Sequence, residues 1–319
     1  MLSPDDSSVP RQRLRDRFRS FPGYSAAAPG LLPKLRAYGG LMVVDESGQR
    51  IGQTLGRLGS MEVRLACKAA EVRRAQKVRY RVFYQEGEAI ADAAKLMARR
   101  DVDGYDAICD HLLVIDHALT GRLRKTPAVV GTYRLLRQDI ADRHGGFYTA
   151  GEFDIGGLMA AHRTLKFLEL GRSCVLPPYR NKRTVELLWR GIWTYVRRHR
   201  LDVMIGCASL KGTDPDALAL PLSFLHHYAG APEPWRARAL AERYVDMNRM
   251  SRDAVDAREA LRRLPPLIRG YLRLGAVIGD GAVIDHQFGT TDVLIVLPVS
   301  GINRRYFAHF GAPGELNAA

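Results

Sequence analysis

Met61, Val63, Leu65 and Cys67 alternate with Glu62, Arg64 and Ala66, the period-two pattern of a half-buried strand. Behind them Ala69, Val72, Ala75, Val78 and Val82 recur at helical spacing and predict a helix over about 68–85. Apolar runs at 112–115 and 128–136 read as strands. The run from Phe167 to Leu176, interrupted by Gly171 and stopped by Pro177-Pro178, predicts a central strand with a bulge at the glycine. Val185, Leu188, Trp189, Ile192 and Val196 predict a helix over 184–200, and Val203 to Cys207 a further buried strand. Asp214-Pro215 reads as an N-cap followed by proline at the first helical position, opening a helix that Gly230 closes.

Strands and helices in this order predict an α/β (α+β) domain, a mixed central sheet flanked by helices. The expected organisation is a flexible basic tail over 1–38, a core over 39–230, and a C-terminal extension over 231–319 packed on that core. In the extension Leu264, Leu267, Ile268, Tyr271 and Leu272 share a face while Arg262, Arg263, Arg269 and Arg273 crowd the other positions. Pro265-Pro266 restrict that helix to start near Leu267. Such a basic amphipathic piece suits either a membrane interface or a surface position against the sheet.

Charge narrows what the domain binds. Among 319 residues, 48 Lys and Arg against 34 Asp and Glu leave a net charge of +14, a field that draws nucleic acid, anionic membrane or an acidic protein. No helix-turn-helix, RNA-binding sheet motif or zinc finger accompanies it, so nucleic acid is the weakest of the three. Cys67, Cys109, Cys174 and Cys207 include no C-x-x-C pair, which argues against a disulfide framework or a structural metal and for a reducing compartment. The arginines of the first 35 residues have no apolar core behind them, as a secretory signal would, and no apolar run is long enough to span a bilayer. Cytoplasmic placement, peripheral on the inner face of the membrane, is the expectation.

Three features carry candidate chemistry. Basic residues concentrate at 61–81 and 172–200, and Arg183, Arg190 and Arg197 form one stripe on the later helix, which is either a solvated face or an anion dock. Asp101, Asp103, Asp106 and Asp110 crowd a loop before a strand, where carboxylates hold a substrate ammonium, accept its proton, or merely solubilise the loop. Glu169 lies inside an apolar strand, where an unpaired carboxylate costs several kcal/mol, so it needs a partner or a purpose. Regular alternation puts Glu169, Gly171 and Ser173 on one face and Arg172 on the other. A bulge at Gly171 would aim a backbone N–H at a developing oxyanion, the donor an amine's attack on a thioester requires. The structural alternative is an ion pair of Glu169 with Arg172 or Arg134. His111 and Asp116 spell H-x4-D, but their offset of five on a strand puts them on opposite faces, and Cys174 has no histidine partner nearby.

The segments Arg79 to Phe83, Asp103 to Asp106, Gly131 to Leu136 and Glu169 to Arg172 occur in the order seen in acyl-homoserine-lactone synthases. The fuller match, from about Met61 to Phe310, resembles the ornithine Nα-acyltransferases of ornithine-lipid synthesis. The resemblance implies an acetyltransferase-like (GNAT) fold and transfer of a 3-hydroxyacyl chain from acyl carrier protein to the α-amino group of ornithine. It implies no permanently bound cofactor, phosphopantetheine arriving on the carrier protein.

By matching position, the family constellation falls on Arg79, Phe83, Asp103, Asp106, Arg134, Glu169 and Arg172. From it follow expected roles: Glu169, with Asp106, accepts the amine's proton, and backbone at Gly171 and Arg172 stabilises the oxyanion. Asp103 and Asp106 hold ammonium groups of the acceptor, and Arg134 or Arg79 its carboxylate. The coenzyme A loop of the fold, R/Q-x-x-G-x-G/A, would fall at Arg180 to Val185, where both glycines are missing. Arg180, Lys182, Arg183 and Arg190 instead suit an acidic carrier protein and its phosphopantetheine phosphate. No tryptophan follows Phe83 as in the signal synthases, which favours the lipid branch. Other acceptors (lysine, glutamine, glycine), homoserine-lactone-type synthesis, and a non-enzymatic nucleic-acid or membrane binder remain the alternatives.

Overall fold

The computed structural model describes residues 54–119 and 127–302, and the basic tail over 1–38 lies outside them. The strands are β1 (Thr54–Leu58), β2 (Met61–Leu65), β3 (Asp110–Asp116), β4 (Ala128–Arg137), β5 (Phe153–Asp154), β6 (Phe167–Val175), β7 (Val203–Lys211), β8 (Arg238–Ala239), β9 (Tyr244–Val245), β10 (Val277–Asp285) and β11 (Thr290–Pro298). The helices are α1 (Ala69–Tyr80), α2 (Ala93–Ala98), α3 (Gln138–Ala141), α4 (Gly156–Ala161), α5 (Lys182–His199), α6 (Ala219–Ala229), α7 (Ala257–Arg263) and α8 (Pro266–Leu274). The strands pair in the order β1-β2-β3-β4-β6-β7-β11-β10-β8-β5, with β9 against β10.

Alternation along β3 explains the layering: Leu112 and Val114 pack with α5, whereas Leu113 and Ile115 pack with Ala75 and Val78 of α1 on the opposite face. The segment after 230 is part of the sheet rather than an extension laid on it. β11 pairs with β7 from Pro298↔Val203 to Thr290↔Lys211, and β10 pairs with β11. The boundary at 230 therefore falls inside one sheet, because the run from Val293 is a strand buried on both faces.

Two predicted helices differ in detail. α6 begins at Ala219 rather than beside Pro215, because the Asp214 carboxylate accepts the Asp216 N–H at 2.9 Å and so forms a local turn instead of capping a helix. α8 starts at Pro266 and ends on Gly275, whose φ of 103° is the left-handed cap that glycine supplies. Its Ile268, Tyr271 and Leu274 are buried against the core, each stabilising by roughly 1.5–3 kcal/mol, so this apolar face is not free to lie on a membrane.

Two irregularities position the site. β6 and β7 are parallel and pair only from Phe167↔Val203 to Glu169↔Ile205, after which they part. Gly206 lets the strands approach at this fork, since a Cβ there would lie 2.3 Å from the Leu170 carbonyl oxygen. On its other side β6 is bulged: Gly171 faces Arg134 and Cys174 faces Thr132, so Arg172 and Ser173 together span one place. The bulge falls one residue beyond the expected glycine, and Arg172 itself takes the left-handed φ of 51°. The extra residue resets the alternation. Cys174 joins the cluster under α1, and the Arg172 side chain reaches Asp103 and the Tyr148 ring, on the side of the sheet that carries Glu169 and not opposite it.

Candidate active site

Where β6 and β7 part, a pocket of about 270 Å³ opens. Leu170 to Ser173 line one wall and Cys207 to Ser209 the other, with Phe83, Tyr148, Phe288 and Leu267 around them. A wider helical turn at 81–85 follows α1 and carries Phe83 to this pocket, edge-on to Phe288 at 5.6 Å between ring centres. Beyond Glu169 β6 has no register partner on β7, so the strand from Leu170 to Ser173 borders the opening on that side.

Glu169 is 5% exposed and lines the pocket. Its Oε1 accepts the Thr149 N–H at 2.6 Å and the Thr149 hydroxyl at 2.5 Å, and its Oε2 accepts the Tyr148 N–H at 3.1 Å. The ion pair with Arg134 or Arg172, the structural alternative for this residue, is not among the contacts of the described residues; the loop at 148–149 satisfies the carboxylate instead. Burial pushes its pKa up against the opposing pull of these hydrogen bonds and of the Arg134 charge.

The acidic loop forms a closed network with arginines. Arg79, 1% exposed, donates Nε to Asp101 Oδ2 at 2.8 Å and both terminal nitrogens to Asp106 at 2.7 and 2.8 Å. Arg134 Nη1 meets Asp103 Oδ1 at 2.6 Å, and Arg172 Nη2 meets Asp103 Oδ2 at 3.2 Å. Three arginines thus match three aspartates. Burial alone would raise the Asp106 carboxyl, but the Arg79 hydrogen bonds and charge reverse this and hold it well below the usual carboxylate range. Asp106 and Arg79 are consequently closed to a substrate, contrary to the roles expected for them, and neither lines the pocket, nor does Asp103. Of the constellation, Phe83, Arg134, Glu169 and Arg172 do, as does Gly171. Asp110 stands apart, its Oδ2 accepting the Tyr195 hydroxyl at 2.6 Å.

The pocket lining also includes carboxylates without such partners, Asp285 and Asp292, with Glu152 next to them. Oxygens of Glu152, Asp285 and Asp292 all lie within 4.8 Å of one another. Asp285 and Asp292 line the pocket, and neither forms an ion pair among the described residues. Glu152 is 3% exposed, its Oε2 has no hydrogen-bond partner, and its nearest cation is Arg243, 3.9 Å from Oε1. Burial, then the neighbouring Asp292 charge, push Glu152 up to about 7. Burial also raises Asp292, against hydrogen bonds from Ser209 and Thr290.

A family model described as an acetyltransferase (GNAT) domain matches residues 78–190. An L-ornithine Nα-acyltransferase of Agrobacterium fabrum is 53% identical over 271 residues, 85% of this chain and 92% of the relative. The chain belongs to the L-ornithine Nα-acyltransferase family. A second member, from Rhizobium meliloti, is 53% identical over 81% of this chain and 86% of its own. Among solved structures, FeeM, an N-acyl amino acid synthase from uncultured soil microbes, superposes with a TM-score of 0.44 at 10% identity, covering 77% of this chain and 97% of that one.

In this family member the four cations expected at the donor do not gather at one point. Arg180 is held by Glu86 Oε2 at 3.0 Å and by the Val175 carbonyl at 2.8 Å, near the pocket side. Lys182 opens α5 fully exposed, behind the Asn181 side chain that caps the helix by accepting the Thr184 N–H. Arg183 and Arg190 are exposed and lean over the β1 edge, beside Gly59 and Gly56. Sequence reasoning missed Tyr148, Thr149, Glu152, Asp285, Phe288 and Asp292. Asp292 had a readable signal, a carboxylate at the mouth of the Val293 to Val299 run; Glu152 had none.

Proposed function

We propose that the chain transfers an acyl group to the α-amino group of ornithine by direct attack of the amine on a thioester. The observation that carries this reading is the buried Glu169 carboxylate at the fork of β6 and β7, on a strand whose bulge residues Arg172 and Ser173 have no register partner on β7. The neutral amine nitrogen adds to the thioester carbonyl carbon, and backbone N–H at Arg172 or Ser173 meets the oxygen that gains charge. Glu169 takes the N–H proton as the C–N bond completes. The C–S bond breaks, and the leaving thiolate takes a proton. Overall the α-ammonium and thioester give amide, thiol and one released proton. Burial lifts Glu169 towards the range in which a carboxylate both accepts and returns a proton.

The donor in this reading is 3-hydroxyacyl carrier protein, its phosphopantetheine entering the fork while Lys182, Arg183 and Arg190 meet the acidic carrier. The absence of loop glycines at 180–185 supports carrier protein over coenzyme A. No helix among the described residues is long and apolar enough to cross a membrane. Peripheral contact with an anionic surface would use the exposed Leu96 and Met97 of α2 with Ile90 before it, flanked by Arg99 and Arg100. The test is incubation of the purified chain with 3-hydroxyacyl carrier protein or the matching acyl coenzyme A, plus ornithine, lysine, glutamine, glycine or S-adenosylmethionine. Acyl-ornithine from the carrier donor is expected; absence of any acylated amine would overturn the reading.

A further inference from the structure

The carboxylates of Glu152, Asp285 and Asp292 have no part in the chemistry above, yet their arrangement is costly. Three acidic groups share a space small enough for all their facing oxygens to lie within 4.8 Å, and two of them are buried. A buried carboxylate oxygen without a hydrogen bond costs at least as much as a buried neutral group left unpaired. Glu152 Oε2 is such an oxygen, on a residue 3% exposed that contributes one carboxylate oxygen to the cluster. Elsewhere in the same fold the buried Asp101 and Asp106 are paired with Arg79 at 2.8 and 2.7 Å. Glu152, Asp285 and Asp292 have no arginine that close among the described residues.

We infer that Glu152, Asp285 and Asp292 form the subsite for a second ammonium group, the side-chain cation of a diamino acid acceptor. The inference rests on the proposed acyl transfer for where the other amine goes. β6, β7, β11 and β10 are consecutive in the sheet, so Glu169 on the first strand and Asp292 and Asp285 on the last two line one pocket. An acceptor whose α-amine lies at Glu169 extends its side chain across Cys207 and Ser209 towards Asp292. An ammonium there donates up to three hydrogen bonds and brings a charge to carboxylates whose other partners are neutral: the Gln287 and Phe288 N–H groups on Asp285 and the Thr290 hydroxyl on Asp292. Charge also orders the pocket: the Arg134 guanidinium acts on the Glu169 carboxylate, so the acceptor's carboxylate rather than a second cation belongs beside it.

The selectivity follows without reference to chain length. Ornithine is favoured over 2-aminopentanoate, the same carbon skeleton without the δ-amine, because the neutral chain leaves three carboxylates uncompensated. The experiment compares kcat/KM for these two acceptors in the wild-type chain and in Glu152→Gln, Asp285→Asn and Asp292→Asn, and measures binding of each acceptor by calorimetry. Wild type should prefer ornithine by at least about 100-fold, and each variant should lower that ratio at least about tenfold, chiefly through KM. Ornithine binding should weaken in parallel, with 2-aminopentanoate binding not improved by addition of Mg²⁺ or Ca²⁺. Equal loss for both acceptors, or an unaltered ratio, would overturn the subsite while leaving acyl transfer intact. Tight divalent-cation binding that the variants abolish would overturn it in favour of a metal site. If wild type acylates neither acceptor the proposed function falls, and variant-sensitive ornithine binding by calorimetry still decides the subsite.

Discussion

Two groups of three carboxylates stand on the same side of one sheet and differ in what surrounds them. Asp101, Asp103 and Asp106 are each met by an arginine, with Arg79 buried between two of them. Glu152, Asp285 and Asp292 crowd together with one arginine 3.9 Å away. Matched charges fix a loop and hold the bulged Arg172 in its left-handed conformation. Among the unmatched ones burial, then the Asp292 and Asp285 charges, push Glu152 up, and the group leaves a place for a cation. The family constellation includes members of the first group, but the second has the free valence that recognition needs.

The largest effect should come from breaking the matched group. Arg79→Met removes one cation from two buried aspartates and is expected to cost about 3–5 kcal/mol, read from urea unfolding. Stability within 1 kcal/mol of wild type would mean that water compensates these aspartates. Between the two groups lies Glu169. Glu169→Gln keeps the shape and one acceptor oxygen for Thr149 but sets an amide N–H against the Tyr148 N–H, and should lower kcat roughly 10²-fold or more while costing about 1–3 kcal/mol of stability. Turnover equal to wild type would remove it from proton transfer.

The unmatched group should respond with the opposite sign. The Glu152 carboxyl titrates near 7 when folded against an ordinary 4.5, so between these values the folded chain holds a proton that the unfolded chain has lost. Stability then falls as pH rises from 4.5 through 7, by about 3 kcal/mol at most, and is level above. Glu152→Gln should flatten this slope and stabilise the protein at pH 8 by roughly 1–3 kcal/mol while leaving pH 4 unchanged. A variant less stable at pH 8 would show that the charge is already compensated. Smallest is the exposed set: Lys182→Ala with Arg183→Ala should raise KM for the carrier protein a few-fold and weaken its salt dependence, because exposed pairs are screened. A KM unchanged across salt concentrations would move the carrier elsewhere.

Much of this was legible beforehand. Period-two alternation in β2 and helical spacing in α5 are local properties, and both elements lie within two residues of their predicted bounds. Glu169 was conspicuous because an apolar strand rarely tolerates a carboxylate. The face of Arg172 was misread because a one-residue bulge inverts alternation, and the chain placed the left-handed residue after Gly171 rather than on it. The acidic loop was visible as spacing, but the arginines that close it come from α1, β4 and β6. Asp285 and Asp292 reach the site only because β11 returns beside β7, a pairing across about 80 residues that no local pattern encodes.

Regiochemistry tests the central claim most directly. Wild-type chain is incubated with 3-hydroxyacyl carrier protein and ornithine, and tandem mass spectrometry locates the acyl group on Nα or Nδ. With the side-chain ammonium held by Glu152, Asp285 and Asp292 and the α-amine at Glu169, the acyl group should be found on Nα alone. Acylation on Nδ would contradict the account, because it would place the reacting amine where the carboxylates are said to hold a cation.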